Sequence, residues 1–347
     1  TNGISCGGIA GVNEKTIIGS KNNATVEGLE KIGGICGLNK GTVESCVNEG
    51  TVSGSYQDSG GISGYSSGTI RLCTNDGPIL SGGNYVGGIC GTTDSSGYCT
   101  TEDSINNGSV NGSFDVGGCV GVHHGTAKNL QNHGDVSGSE NVGGTFGFTD
   151  GHFSACTPDN ICHRTITGVK DVGGFIGEYK GSVTGVAISE MTIIGCENVG
   201  GIIGRGVSIN VENSEFRGMI LSKTDSESNN SFGGIVGFLT EKSIVKSCKN
   251  YSTISVLGKI AGGIVGQFDT FLHKVYIQDC TNYGSITTTG DYCAGIVAFS
   301  DSNVIYVEYC VNEGSIHGWN HVYGIAYKAT TKGNTNIGSI ICDMDLS

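Results

Sequence analysis

The stretch Gly33-Gly34-Ile35-Cys36-Gly37 is the clearest copy of a motif that recurs along the whole chain. Copies begin at residues 7, 33, 60, 87, 117, 143, 173, 200, 233 and 262, and two altered copies begin at Ala294 and Tyr323. The twelve starts are 26 to 33 residues apart. A repeat of this length, in which each unit needs its neighbours to bury its apolar residues, is typical of a solenoid.

Within a repeat, short segments of β-branched and small residues alternate with Gly and Asn turns, and no helical period is present. Three short strands and three corners fit into one repeat, as in residues 33–37, 42–50 and 51–55. The sequence therefore predicts an all-β fold: a single parallel β-helix (β-solenoid) of about twelve coils with three short strands per coil, and residues 1–347 as one continuous domain. We also expect this segment to belong to a longer chain or to a filament subunit.

The motif itself predicts the conformation of its Gly-Gly pair and the direction of the side chains that follow it. The Gly-Gly pair is interpreted as a corner at which residues without Cβ adopt positive φ. The third residue of the motif is mostly Ile and is assigned to the core. Because side chains alternate across a strand, the fourth residue is then expected outside, as an apolar stripe that another chain or domain covers. The members of this expected stripe are Val120, Phe146, Ile176, Ile203, Val236, Val265 and Val297.

An Asn recurs at one place in the repeat, in the pattern Cys-x-Asn-x-Gly or a partial form of it. An inward Asn at a corner can bond the backbone and the Asn amides of neighbouring coils, so these residues are predicted to form a buried ladder. The predicted ladder residues are Asn22, Asn48, Asn75, Asn106, Asn132, Asn250, Asn282, Asn312 and Asn336. Sequons mark Asn23, Asn107, Asn111 and Asn229 as candidate N-glycosylation sites, whereas Asn250 is expected to stay bare.

The chain has 15 Cys residues, many at repeat positions that hold Ile, Val, Ser or Ala elsewhere. One interpretation is that they act as small buried hydrophobes. The other is that they bridge adjacent coils in an oxidising compartment. We expect free thiols for most of them, with Cys156 and Cys162 as the candidate local disulfide.

Charge limits the range of partners. The net charge is −13 with only 19 basic residues, and no basic run is present, so nucleic acid is not expected as a partner. No apolar stretch is long enough to span a membrane, and membrane insertion is not expected in this segment. The expected partners are a second copy or another protein domain, in lateral or end-to-end contact, and surface glycans.

Catalytic chemistry has little support in the sequence. A His-Glu-x-x-His motif is absent, and the loop carboxylates fall in different coils without basic partners. His123 and His124 are adjacent in a predicted strand and would point in opposite directions, so no metal site and no cofactor are expected. The inserted loops hold residues that suit sugar stacking, although such aromatics can equally cover the edge of a solenoid. The candidate glycan-binding residues are Asp150, His152, Phe153, Phe271, His273 and Tyr306.

These repeats resemble the GLUG-motif family, whose members carry a glycine–hydrophobic–glycine core such as Gly34-Ile35-Cys36-Gly37, followed by a Val- and Asn-rich stretch such as residues 43–52. The resemblance covers nearly the whole chain and is weakest over residues 143–231. It implies a secreted or surface-exposed, adhesin-like β-solenoid and supplies no catalytic residues.

Two hypotheses on function follow. The first is a non-catalytic extracellular or cell-surface solenoid with a structural or adhesive role: a stalk, an adhesin module or a self-associating filament subunit. The alternative is a glycan-binding lectin or a polysaccharide-active enzyme on the same scaffold. The fold alone does not choose between them, because one solenoid hosts many functions.

Overall fold

The computed structural model of the protein describes residues 4–96, 98–158, 164–223, 230–269, 273–300 and 304–343. The strands in these ranges are two to nine residues long, and strands of neighbouring turns pair in parallel. The predicted fold class, an all-β parallel solenoid, is confirmed. Contacts divide the chain into two compact units. Unit 1 comprises Thr1–Ile166 with Phe175–Gly177, and unit 2 comprises Thr167–Gly174 with Glu178–Ser347. That the whole chain forms one continuous domain stays a prediction.

The strands of unit 1 stack in four rows. Strands leading toward the Gly-Gly pair are Cys6–Gly7, Val26–Gly33, Val52–Gly60, Ile79–Leu80, Asn84–Gly87, Val110–Asn111, Phe114–Gly117, Val136–Ser137, Glu140–Gly143 and, across the unit boundary, Arg164–Thr167. Strands following the pair are Ala10–Asn13, Cys36–Asn39, Ser63–Ser66, Cys90–Thr93, Val120–His123 and Phe146–Thr149. The third row is Thr16–Ile18, Thr42–Glu44, Thr69–Arg71, Thr100–Glu102, Thr126–Lys128 and His152–Ser154. The fourth row is Lys21–Asn22, Val47–Asn48, Thr74–Asn75, Ile105–Asn106, Gln131–Asn132 and Thr157–Pro158.

Unit 2 repeats this arrangement. Strands leading toward the pair are Lys170–Gly173, Ala187–Gly195, Glu197–Gly200, Glu215–Ser222, Ser231–Gly233, Thr253–Val256, Ile260–Gly262, Ile286–Thr288, Tyr292–Ala294, Ile316–Gly318, His321–Tyr323 and Ile340–Cys342. Strands following it are Ile176–Tyr179, which begins in unit 1, then Ile203–Val207, Val236–Thr240, Val265–Asp269 and Val297–Ser300. The third row is Ser182–Thr184, Asn210–Glu212, Ile244–Lys246, Val275–Gln278, Ile305–Glu308 and Thr330–Lys332. The Asn-bearing strands are Lys249–Asn250, Thr281–Asn282, Val311–Asn312 and Thr335–Asn336.

A turn thus has four or five strands rather than the expected three, because an extra corner interrupts residues such as 42–50. At that corner each turn places one residue at positive φ, between 47° and 72°. These residues are Gly19, Ser45, Leu72, Asp103, Asn129 and Ala155 in unit 1, and Gly185, Asn213, Ser247, Asp279, Tyr309 and Gly333 in unit 2. This corner is not recognisable in the sequence, because the residue type at it differs from turn to turn.

The Gly-Gly pair serves close packing, and its expected positive φ is wrong: the described glycines at positive φ lie elsewhere. A Cβ added to Gly33 would lie 2.0 Å from the carbonyl oxygen of Cys36. One added to Gly34 would lie 2.2 Å from the carbonyl oxygen of Gly61 in the next turn and 2.3 Å from Cγ of Asn48. Both positions therefore exclude any side chain.

The Asn ladder is confirmed. Asn48 Nδ2 donates to the Gly50 carbonyl oxygen and to Oδ1 of Asn75 in the next turn, both at 2.8 Å. Amide-to-amide bonds of 2.7–2.8 Å run from Asn22 to Asn132 in unit 1 and from Asn250 to Asn336 in unit 2. All nine are buried except Asn336, which is bonded but exposed.

The expected outer stripe is wrong. Val120, Phe146, Ile176, Ile203, Val236, Val265 and Val297 are all fully buried. The second Gly and the third motif residue form a bend between two strands, as at residues 34–35. Because strict alternation holds only within a strand, the third and fourth residues can both point inward across this bend.

A second polar ladder, unnoticed in the sequence, follows the motif in unit 1. Asn13 Nδ2 donates to Asn39 Oδ1 at 2.8 Å, and Asn39 Nδ2 donates to Ser66 Oγ at 3.1 Å. Further along the same row, buried His123 bonds Thr149 at 2.9 Å. At this position unit 2 buries the apolar side chains of Leu239 and Phe268, followed in the next turn by Ser300.

We predict that Asn48→Ala lowers the free energy of unfolding by about 1–3 kcal/mol, because it leaves buried amide and carbonyl groups unpaired. Urea denaturation measures the change. The control is Asn23→Ala, which removes an exposed side chain next to the same ladder. Equal losses from both variants would contradict the ladder's role.

We predict that Gly34→Ala destabilises the fold by about 3 kcal/mol, because the methyl group overlaps Asn48 and the next turn. Gly82→Ala is the matched control, since no atom lies within 4 Å of its added Cβ. Thermal unfolding of the two variants should separate them clearly. A neutral Gly34→Ala would show that the corner has room.

Candidate binding surface

The last two motif copies lose their glycines at matching places. The first Gly of the motif becomes Ala294 and Tyr323, and its last Gly becomes Ala298 and Tyr327. In the preceding copy that last glycine is Gly266, whose added Cβ would lie 2.6 Å from the carbonyl oxygen of Gly237. The altered copies therefore depart from the close packing that defines the other turns.

At these altered copies unit 2 gathers five rings into one surface. Tyr292 lies at its centre, with ring centroids 4.6 Å from Phe299, 4.8 Å from His321 and 5.0 Å from Tyr327. Tyr323 lies 5.5 Å from Tyr327. All five side chains are half-buried. We call Tyr292, Phe299, His321, Tyr323 and Tyr327 the aromatic face.

Small buried residues support the aromatic face. Tyr292, Phe299 and Tyr323 pack against a buried cluster of Ile260, Ala294 and Ala298. The two alanines add apolar contact without bulk, so the rings lie against the solenoid. The signal that could have located this face was in the sequence: the lost glycines of the two altered copies.

The aromatic face is neutral at its centre and charged at its rim. Burial, followed by the neighbouring Tyr327, raises the pKa of the Tyr292 hydroxyl, and the pKa of Tyr323 is raised in the same way. Lys328 Nζ lies 5.0 Å from the Tyr327 ring centroid, a cation–π contact. Asp291 and Lys328 are both exposed, and both act electrostatically on Tyr292. The face thus offers apolar contact area, hydroxyl groups and one charge of each sign.

A second cluster in unit 2 has the residue types of a catalytic site. Asn198 Nδ2 donates to Asp171 Oδ1 at 2.6 Å, and Arg205 Nη1 lies 3.9 Å from Glu178 Oε2. Asp171 Oδ2 has no hydrogen-bond partner among the described residues, and burial raises the pKa of this carboxyl to about 6. Asp171 is fully buried, however, so its carboxyl cannot touch a substrate. No sequence pattern indicates this cluster, because residues from turns about 27 positions apart form it.

The candidate glycan-binding residues are divided between the two units. The structure assigns Asp150, His152 and Phe153 to unit 1, and His273 and Tyr306 to unit 2, while Phe271 lies outside the described residues. The Phe153 ring is half-buried and packs 5.4 Å from both Phe146 and Phe175, and its role in glycan binding stays a prediction.

The other members of this set have local partners. Asp150 Oδ1 lies 2.6 Å from Nδ1 of His124, and the Tyr306 ring stacks 5.1 Å from that of Tyr276. His152 and His273 are exposed. Their role in glycan binding stays a prediction.

The sequon residues divide by burial. Asn23, Asn107 and Asn111 are exposed, Asn250 is fully buried, and Asn229 lies outside the described residues. An oligosaccharyltransferase needs an accessible amide, so the side-chain positions agree with the expected pattern. Glycosylation itself stays a prediction.

None of the fourteen described cysteines forms a disulfide, and twelve of them are buried. Burial raises the pKa of Cys36 and Cys293 to about 12 and that of Cys99 and Cys156 to about 11. Such thiols stay protonated and are shielded from oxidants, which makes them poor nucleophiles. Cys156 is free, and its candidate partner Cys162 lies outside the described residues.

Within the described ranges, no three His, Cys, Asp or Glu side chains come together in a way that could hold a metal ion. His123 is buried beside Thr149, and burial lowers its pKa to about 3, so it stays neutral. No helix in the described part of the chain has the length and apolar character needed to cross a membrane.

Comparisons of this chain with models of known families, with curated proteins and with solved structures find no match. The resemblance to the GLUG-motif repeats stays a prediction from the motif alone. Any function must therefore be argued from the surfaces described above.

We predict that wild-type unit 2 loses stability as the pH rises from about 4 to 6, and that Asp171→Asn removes this loss. The folded-state pKa is raised, so the folded chain retains a proton that the unfolded chain releases in this window. The stabilisation is complete below pH 4 and is lost above about pH 6. A shift of this size corresponds to about 3 kcal/mol.

Urea denaturation at a series of pH values gives the slopes of both proteins. Glu241→Gln, at an exposed carboxylate of the same unit, is the control and should leave the slope unchanged. An Asp171→Asn protein with the wild-type slope would contradict the assignment.

Proposed function

We propose that this protein is a non-catalytic structural and adhesive β-solenoid of the extracellular space or cell surface, and that it associates with a second copy through the aromatic face. The observation that carries the proposal is the aromatic face itself: five half-buried rings gathered over small buried residues. The placement at the cell surface rests on the resemblance to the GLUG-motif repeats.

Ring chemistry favours a protein contact at this face. Tyr, Phe and His rings supply large contact areas, and aromatic residues are enriched in interface cores. Stacking of Tyr292 on His321 and on neighbouring rings holds the side chains in place before a partner arrives. Such preorganisation lowers the entropy cost of association.

The charges at the rim favour a second copy as the partner. Lys328 and Asp291 carry opposite charges and are both exposed beside Tyr292. In a two-fold contact each residue meets the surface of the other copy, so Lys328 of one chain can pair with Asp291 of its partner. The net charge of −13 opposes association elsewhere, which makes a self-complementary patch the natural place for it. End-to-end association of the solenoid stays a separate prediction.

We predict that the chain forms a concentration-dependent dimer, and that replacing Phe299 and Tyr327 by Ser weakens it at least about tenfold. Loss of two interface rings removes the apolar contact that holds the copies together. Sedimentation velocity over a range of concentrations measures the equilibrium. Tyr98→Ser is the matched control, because Tyr98 is 85% exposed and belongs to unit 1.

A charge exchange sharpens this test. Asp291→Lys and Lys328→Asp should each weaken the dimer, and the protein carrying both changes should recover it. A chain that is monomeric at every concentration would overturn the proposed self-association. So would a dimer that the Phe299 and Tyr327 changes leave intact.

A further inference from the structure

A separate set of exposed side chains runs beside the Asn ladder of unit 2. Phe216, Asn250 and Asn282 are in register in consecutive turns, so the residues that follow them are also neighbours. These are Arg217, Tyr251 and Tyr283. The tyrosine rings stack 4.7 Å apart at an angle of 7°, and the Arg217 guanidinium lies 3.8 Å from the Tyr251 ring centroid.

The buried Asn ladder holds this stack in position. Asn250 and Asn282 are fully buried and bonded to each other at 2.8 Å, which sets the position of each following residue. Tyr251 is half-buried and Tyr283 is 40% exposed. An ordered aromatic platform therefore meets solvent at a place that the core holds rigid.

A pocket of about 390 Å³ adjoins this platform. It is lined by Ala187, Asn213, Ser214, Glu215, Ser247 and Lys249. Glu215 and Arg217 lie two positions apart in the strand Glu215–Ser222, on the same face of that strand. Lys249 begins the neighbouring strand Lys249–Asn250, which leads directly to Tyr251. Glu215 Oε1 also lies 3.5 Å from Nε of Arg217. Pocket and platform are thus one continuous surface.

The chemistry of this surface fits a sugar. The C–H faces of a pyranose stack on aromatic rings, and its hydroxyl groups need both donors and acceptors. Tyr251 lies between Arg217 and Tyr283, so the ring that stacks on the sugar is Tyr283, at the end of the stack. The acceptor is Glu215, and the donors include Asn213 and Lys249. Arg217 already neutralises Glu215, so Lys249 remains as the pocket cation that can meet an acidic group.

We propose that this pocket and the Arg217–Tyr251–Tyr283 stack form a binding site for an oligosaccharide that carries a carboxylate. The Tyr283 ring, at the end of the stack, holds one sugar unit, and the Lys249 ammonium pairs with the carboxylate of another unit in the pocket. This site is distinct from the aromatic face and does not depend on self-association.

Isothermal titration calorimetry with the full chain tests the site. The probes are oligogalacturonate and hyaluronan oligosaccharides, with xylo-, cello- and chito-oligosaccharides as neutral counterparts. We expect saturable binding of an acidic probe. Tyr283→Ala should weaken it about tenfold, which corresponds to about 1.4 kcal/mol, and Tyr283→Phe should retain most of the affinity.

Lys249→Gln should weaken binding of the acidic probe about tenfold and leave neutral probes unaffected. Two matched controls come from the same unit: Tyr309→Ala, from an exposed tyrosine with its own cation–π contact to Lys332, and Lys246→Gln, from an exposed lysine. Both should bind like the wild type. The Phe299 and Tyr327 changes should also leave sugar binding intact, which separates this test from that of the dimer.

Three results would overturn the proposal. They are no saturable binding to any probe, binding confined to neutral probes, and binding of an acidic probe that Tyr283→Ala and Lys249→Gln leave unchanged. Circular dichroism spectra and melting temperatures close to wild type would show that each variant is folded, so that a loss of affinity reports on the site.

Discussion

The side-chain amide of a buried Asn, bonded to the amide of the next turn and resting on a bare glycine, is the interaction on which this structure depends. Asn48 bonds Asn75 and the Gly50 carbonyl oxygen while its Cγ occupies the space that a Cβ on Gly34 would need. Each bond contributes only about 1 kcal/mol, but an unpaired buried amide costs more. A slip of one residue would break the whole ladder and place side chains on the glycines. The Asn row and the Gly-Gly pair therefore fix the register together, which is why they recur together.

The two proposed binding surfaces lie at turns where the Asn or the Gly-Gly pair is replaced by another residue. Where the Asn is replaced in unit 2, the Phe216 ring fills the space beside Gly201, and the residue after it is Arg217, which covers Tyr251. Where the glycines are replaced, the alanines and tyrosines of the last two copies build the aromatic face. The regular turns form a rigid scaffold, and the altered turns place aromatic and charged side chains on its surface. This division is expected of a repeat protein, in which each turn is held by its neighbours and can tolerate changes on its outside.

Burial also decides which reactive groups are available. Asp171, His123 and many of the thiols have the residue types of chemically active sites, but all of them are buried. Desolvation raises the pKa of Asp171 and of many of these thiols and lowers that of His123. Groups such as Lys249, Lys328 and Asp291 stay exposed and charged on the outer surface. Both proposed contacts therefore use outward side chains, while the titratable groups of the interior adjust the stability of the fold with pH.

The sequence by itself determined the repeat, the parallel β-solenoid and the inward Asn row, because these follow from spacing and residue type within one turn. The predictions from the sequence were wrong at the corners between strands. Val120 and its counterparts were expected outside, yet a bend after the Gly-Gly pair turns them inward, and strand alternation cannot reveal such a bend. The extra corner at Ser45 and Leu72 is not visible in the sequence, because residue types as different as Ser, Leu, Asp, Ala and Tyr occupy it. Only the tertiary structure decided which outward residues meet. Arg217, Tyr251 and Tyr283 are more than thirty positions apart in the sequence, and the length of each turn alone brings them together. The length of a turn changes with each inserted loop. Which outward residues meet is therefore set by the hydrogen-bonded pairing of strands in adjacent turns, and a fixed spacing in the sequence cannot predict it.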